Sequence, residues 1–115
     1  MASGAGKEVT DKIVVLSTCD SEESAARLAH HLVEQRLAAC VNILPRARSI
    51  YRWKGKIEDT GEFVLVIKSR SDLFAALRSE IEKIHTYEVP EVVALSVVDG
   101  AAGYLGWLDR ELSSQ

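Results

Sequence analysis

A ferredoxin-like α+β sandwich built on a split β-α-β frame is what this sequence predicts, and three observations carry the expectation. Runs rich in β-branched side chains stand near both ends, at Ile13–Leu16 and Val92–Val98, and a longer β-type stretch fills the middle. Two segments with apolar residues at 3-4 spacing lie between them. The resulting order, β-α-β-β-α-β with one more helix at the end, is the split arrangement whose helices cover one face of a mainly antiparallel sheet.

Each element follows from its residues. Residues 1–8 are small, Gly-rich and polar and read as a disordered tail, leaving 9–115 as a single domain. Ile13-Val14-Val15-Leu16 suits a strand buried on both faces. Asp20, three residues before Glu23, offers a capping-box start to a helix with Ala25, Leu28, Ala29, Leu32 and Val33 on one stripe, ending near Arg36-Leu37. Strand character returns from Ala39 to Leu44. Pro45 demands an edge, a bend or a bulge, and Ser49–Trp53 resumes the strand. Lys54-Gly55 is a hairpin turn, and Ile57 with Phe63–Ile67 returns. Ser71 caps a second helix carrying Leu73, Phe74, Leu77, Ile81 and Ile84. His85–Pro90 is a loop, Val92–Val98 a buried strand, and Ala102–Leu112 a short last helix.

Composition excludes several function classes. Fourteen Lys and Arg against seventeen Asp and Glu give a net charge of −3, with no basic excess to neutralise a nucleic acid. No apolar run approaches the ~20 residues that a membrane span requires, and no secretory leader is recognisable. Two cysteines without a leader point to free thiols in the cytoplasm. No nucleophile elbow, P-loop, HExxH, GxGxxG or CxxC motif occurs, so no enzymatic activity is expected.

The topology gathers chemistry at one end. With strands ordered 4-1-3-2, the first strand finishes at the top of the sheet, so Cys19, Asp20, His85, Tyr87 and Glu91 share that edge. Cys40 starts its strand at the bottom, too far from Cys19 for a disulfide. Cys19 and His85, with Glu91 or Asp20 as oxygen donors, form a candidate site for a soft or borderline metal such as copper or zinc. The alternative is an inert thiol and a helix-terminal histidine. Tyr51, Trp53, Lys68 and Tyr87 form a candidate cleft for a small anionic ligand, although Lys68 can equally mark a strand's exit to solvent. His30 and His31 read as solvated surface residues, Cys40 as a small buried hydrophobe, and Cys19 as the more reactive thiol.

The middle hairpin is too long for its domain. Ala39–Trp53 would span roughly 50 Å at ~3.3 Å per residue, against about 17–20 Å for an ordinary strand. The overhang would expose Ile50, Tyr51, Trp53 and Ile57, which should pack on another copy of the chain. Tyr51 and Trp53 face one side, and Ile57 joins them if the register allows.

Three stretches resemble the CutA divalent-cation tolerance family. They are Arg36-Leu37-Ala38-Ala39-Cys40-Val41-Asn42, Ser49-Ile50-Tyr51-Arg52-Trp53-Lys54-Gly55-Lys56-Ile57 and His85-Thr86-Tyr87-Glu88-Val89-Pro90-Glu91. Tyr104-Leu105-Gly106-Trp107-Leu108 is similar too, and the likeness covers roughly 13–112. The resemblance implies a PII-like homotrimer with hairpins packed between neighbours and a role in copper and divalent-cation tolerance. It attributes copper binding to a cysteine near the end of the first strand and to the histidine of the His-x-Tyr loop. These carry over loosely to Cys19 and directly to His85, with Glu91 assisting. Thr86 departs from the family's usual proline, and some members place the thiol where this chain has Ser17. The function implied is a cytoplasmic homotrimer of metal-ion response that binds divalent cations weakly and requires no cofactor. Two alternatives are a PII-like module with a small anionic ligand in its intersubunit cleft and a structural trimer that anchors a partner protein.

Overall fold

The run Ile13–Leu16 lies within β1 (Lys12–Cys19), which is followed by α1 (Glu22–Glu34), β2 (Cys40–Trp53) and β3 (Lys56–Arg70). A 3-10 turn (Ser71–Leu73) leads into α2 (Phe74–Ile84), then β4 (Val93–Ser96) and α3 (Ala102–Glu111). The structure is a computed structural model and describes residues 9–114. The tail at 1–8 and the last residue of the 9–115 domain lie outside the described residues. The four strands form one antiparallel sheet in the order β2-β3-β1-β4, as the split β-α-β reading requires.

Helices cover one face of this sheet. Ile13, Val15 and Cys19 of β1 and Leu65 and Ile67 of β3 point into that layer. There they meet Leu28, Leu32, Leu73, Leu77 and Ile81. This is period-2 alternation meeting period-3.6 stripes. The other face carries Val14, Leu16, Val64, Val66, Leu44, Val93 and Leu95, paired in register, and among the described residues no helix or strand covers it.

Several local expectations change. Ser21, rather than Asp20, caps α1, its Oγ accepting from the Ser24 backbone N–H. Ser71 opens the 3-10 turn and makes no cap for α2. Helix α1 stops at Glu34, and Arg36 adopts a left-handed φ of 57° beyond it. Strand β4 is short and exposed along its length, because it is an edge strand beside the uncovered face. Cys40 is partly exposed rather than buried, since it sits on that same face across from Lys68. His31 is no free surface group: its Nε2 lies 2.7 Å from Glu80 Oε1 and ties α1 to α2.

Pro45 produces a bulge. Leu44 pairs with Val64 and Ala47 with Glu62, so β2 carries one more residue than β3 between these pairs. Arg46 takes a left-handed φ of 66° there. Beyond the bulge the alternation of β2 is inverted, as an odd insertion dictates. Ala47, Ser49, Tyr51 and Trp53 therefore share the uncovered face with Glu62 and Thr60. The hairpin closes through Lys54 and Gly55, with φ of 50° and 80°, the two positive values a tight two-residue turn needs. In this register Ile57 pairs with Arg52 and Ile50 with Asp59. Ile57 thus falls on the opposite side of the arm from Tyr51 and Trp53 and cannot join them.

Candidate functional site at the top of the sheet

β1 delivers Thr18 and Cys19 to the top, and α2 ends beside them at His85. Cys19 Sγ lies 3.7 Å from His85 Nε2, across 66 positions of sequence. The His85 ring has both nitrogens engaged. Nε2 donates to the Thr18 carbonyl oxygen at 2.6 Å, and Nδ1 accepts the Tyr87 backbone N–H at 3.0 Å. Those two partners fix the neutral tautomer with its proton on Nε2. The Cys19 thiol is only 1% exposed. Burial, with the charges of Asp20 and Glu62, pushes it up to about 11, so the protonated thiol dominates near neutral pH.

The loop then crosses to the uncovered face. The Tyr87 ring packs 4.6 Å from that of His85. Its hydroxyl donates to Glu62 Oε2. Burial first, then the bond to Glu62 and nearby negative charge, raises the Tyr87 phenol well above its ordinary range. Glu62 is 7% exposed. Tyr51, Trp53, Glu88 and Glu91 continue from there along an open groove of about 740 Å³ between the hairpin arm and the loop.

These placements divide the predicted site residues. Cys19 and His85 meet, as the topology required. Glu91 does not join them; it lines the groove, on the other side of the loop. Among the described residues no three His, Cys, Asp or Glu side chains converge enough to hold a metal ion. The Cys19–His85 pair does not fit a resident metal, because the thiol is protonated and Nε2 is committed to Thr18. Tyr51, Trp53 and Tyr87 do share the groove. Lys68 does not; it sits at the bottom of β3 and bonds Asn42, because β3 runs downward from the arm. Of the four predicted interface residues, Ile50 and Ile57 occupy one face of the arm and Tyr51 and Trp53 the other. All four are exposed in the single chain.

Glu62 was the residue that sequence reasoning missed. It directly precedes the apolar run Phe63–Ile67. Period-2 alternation with Val64 and Val66 was the available signal, since it sets Glu62 on their face.

Comparison with known proteins agrees with this architecture. The sequence model described as CutA1 divalent ion tolerance protein matches residues 13–111. A mouse relative named Protein CutA is 43% identical over 113 residues, 98% of this chain; the chain spans 64% of that relative's length. The Divalent-cation tolerance protein CutA of Thermus thermophilus is 47% identical over 95 residues, covering 83% of this chain and 92% of the relative. The crystal structure of CutA1 from Oryza sativa superposes with a TM-score of 0.89 at 39% identity, over 93% of this chain and 98% of that one. A structure from Archaeoglobus fulgidus, described as a periplasmic divalent cation tolerance protein CutA, gives 0.86 at 38% identity over 89% and 99% of the two chains. No helix among the described residues is long and apolar enough to cross a membrane. A family match over 99 consecutive positions, on a fold that superposes on solved relatives with TM-scores of 0.89 and 0.86, leaves one conclusion: this chain belongs to the CutA1 divalent ion tolerance family.

Proposed function

We propose that the chain acts as a cytoplasmic homotrimer in the response to divalent metal ions, copper among them, binding them weakly and catalysing no reaction. The Cys19–His85 contact of 3.7 Å carries the metal reading. A soft thiol and an imidazole side by side suit copper or zinc. Binding there must expel the thiol proton and break the His85–Thr18 bond, so affinity is low and exchange easy. That is the behaviour of a group that senses or buffers metal rather than one that stores it. The tolerance role in the names of the relatives supports the same reading.

Self-association is supported by what a single chain leaves uncovered. Ile50 and Ile57 are 63% and 61% exposed on the arm, and Val93 and Leu95 extend the bare sheet face. Exposed apolar surface on both the arm and the bare sheet face marks interfaces, and a closed ring repeats each such contact at every subunit. An anionic ligand is disfavoured as the alternative, because the groove is lined by acidic groups while Lys68 lies at the far end. Anchoring of a partner protein is the remaining alternative.

Calorimetric copper titration of the full chain tests the metal reading beside the Cys19→Ser, His85→Ala double variant. Weak saturable binding that drops at least about tenfold in the variant is expected. Unchanged affinity overturns the assignment. Sedimentation gives the subunit number directly.

A further inference from the structure

The Cys19–His85 pair is narrow, and its narrowness decides what it can hold. Two donor side chains face each other there, Sγ 3.7 Å from Nε2. Among the described residues no third His, Cys, Asp or Glu joins them. The neighbouring acids stand elsewhere: Asp20, Glu62 and Glu91 line the groove across the loop, and no carboxylate lines the cavity at the pair. That cavity lies on the helix side, between Ser24 and Arg27 of α1 and Thr86 of the loop. It measures about 10 Å³, the room of one water molecule.

Divalent ions ask for more than this. Zinc takes four ligands in closed sites and three from the protein even in open ones. Cupric copper prefers a tetragonal set of nitrogen and oxygen donors. Calcium and magnesium take oxygens, and magnesium keeps several waters of its own. A cavity that admits one water cannot make up the missing ligands with a hydration shell. Cuprous copper differs on each count. It is soft and favours sulfur. With a filled d shell and a single charge it is satisfied by two donors. A thiolate also cancels that single charge, so the occupied pair leaves no net charge of its own in a buried place.

We infer that the Cys19–His85 pair selects a soft monovalent ion, cuprous copper, held between Sγ and Nε2 alone, and turns divalent ions away. The inference rests on the reading of this pair as the metal-binding group. Occupation exchanges the ion for the thiol proton, which passes to solvent. At His85 the Nε2 proton moves to Nδ1, so the bond to the Thr18 carbonyl and the bond from the Tyr87 N–H are both given up. Each ion bound therefore releases one proton.

The test uses the assembled full-length chain carrying Cys40→Ser, which removes the second thiol at the far end of the sheet. Cu⁺ is titrated without oxygen against a competing chelator, with Cu²⁺ and Zn²⁺ titrated in parallel. One Cu⁺ per chain and one released proton are expected, with Cu²⁺ and Zn²⁺ at least about a hundredfold weaker. The X-ray absorption edge of the Cu⁺-loaded protein should report two donors, one sulfur and one nitrogen. Cys19→Ser and His85→Ala should each weaken Cu⁺ at least about tenfold, with circular dichroism confirming that they fold, and Glu91→Gln should leave it unchanged. A divalent ion bound at the pair as tightly as Cu⁺ overturns the selectivity and leaves the metal reading standing. So does an absorption edge with three or four donors, or a tenfold loss in Glu91→Gln. Cu⁺ affinity that survives both Cys19→Ser and His85→Ala overturns the metal reading itself, and this inference with it.

Discussion

His85 Nε2 lies 3.7 Å from Cys19 Sγ but 2.6 Å from the Thr18 carbonyl oxygen, and the shorter contact claims its proton. The histidine is therefore a structural clasp between α2 and β1 before it is anything else. Tyr87 N–H completes the clasp from the loop side. The neighbouring thiol is held protonated by burial and by nearby carboxylates. These facts order the behaviour of the top edge.

The two thiols should differ in a direction that reverses the sequence expectation. Cys19 is 1% exposed with its thiol pushed up to about 11, whereas Cys40 is partly exposed. Thiolate is the reactive form. One fast-reacting thiol is expected with a chromogenic disulfide reagent in the dissociated chain. Cys40→Ser should abolish the fast phase and Cys19→Ser should leave it.

Removing the clasp should weaken the fold. His85→Ala deletes one bond to a carbonyl and one to an N–H and opens space beside Cys19. A loss of about 1–3 kcal/mol is expected in urea unfolding. An unchanged midpoint would show that water replaces both partners.

The arm has two faces, and they should fail differently. Ile50→Lys with Ile57→Lys should dissociate the assembly while far-UV circular dichroism is kept, because both side chains are exposed and share a face. Trp53→Ala should have the smaller effect, since Trp53 faces the groove. Sedimentation of the two variants at matched dilution decides the order.

Charge ties the last helix to the sheet. Lys12, with a side chain 6% exposed, bonds Asp11 and, at 3.1 Å, Asp109 of α3. Arg70 reaches the same Asp109 at 3.2 Å and the Ser113 carbonyl at 2.6 Å. Burial lowers the Lys12 value, but the bonds to Asp11 and Asp109 outweigh it and raise it overall. The bond to Lys12, helped by Arg70, lowers Asp109. The Asp109 contribution is present above its unfolded value of about 3.9 and is lost as pH falls through the lower folded value. That of Lys12 is present below about 10.4 and is lost as pH rises through the higher folded value. These two contributions are constant between those limits; the raised Cys19 thiol makes total stability begin to fall above its unfolded value of about 8.5, until pH passes about 11. Asp109→Asn should flatten the acid limb, as measured by urea midpoints across pH.

Ser17 is fully buried on the helix face of β1, and its Oγ has no hydrogen-bond partner among the described residues. A buried polar atom left unpaired opposes folding. Ser17→Ala should therefore raise stability by up to about 1 kcal/mol in the same assay, and a loss instead would reveal a bound water.

Patterns along the chain determined the element order, the sheet order and the meeting of Cys19 with His85. Apolar period and turn chemistry are local, and the split β-α-β frame leaves few ways to join such elements. Pro45 announced a break in β2, but not its size. Only the tertiary register revealed one extra residue there, and that single residue decides which face Tyr51 and Trp53 occupy, because side chains alternate with period 2. The same register set Ile57 against Arg52 and put Lys68 at the far end of β3. Burial is likewise a property of the packed layers: Cys19 and Cys40 both begin or end strands in the sequence, yet one lies beneath the helices and the other on the bare face. Glu62 acquires its meaning only when the 85–91 loop folds over the sheet and brings Tyr87 to it, since no local pattern encodes a contact made across 25 positions.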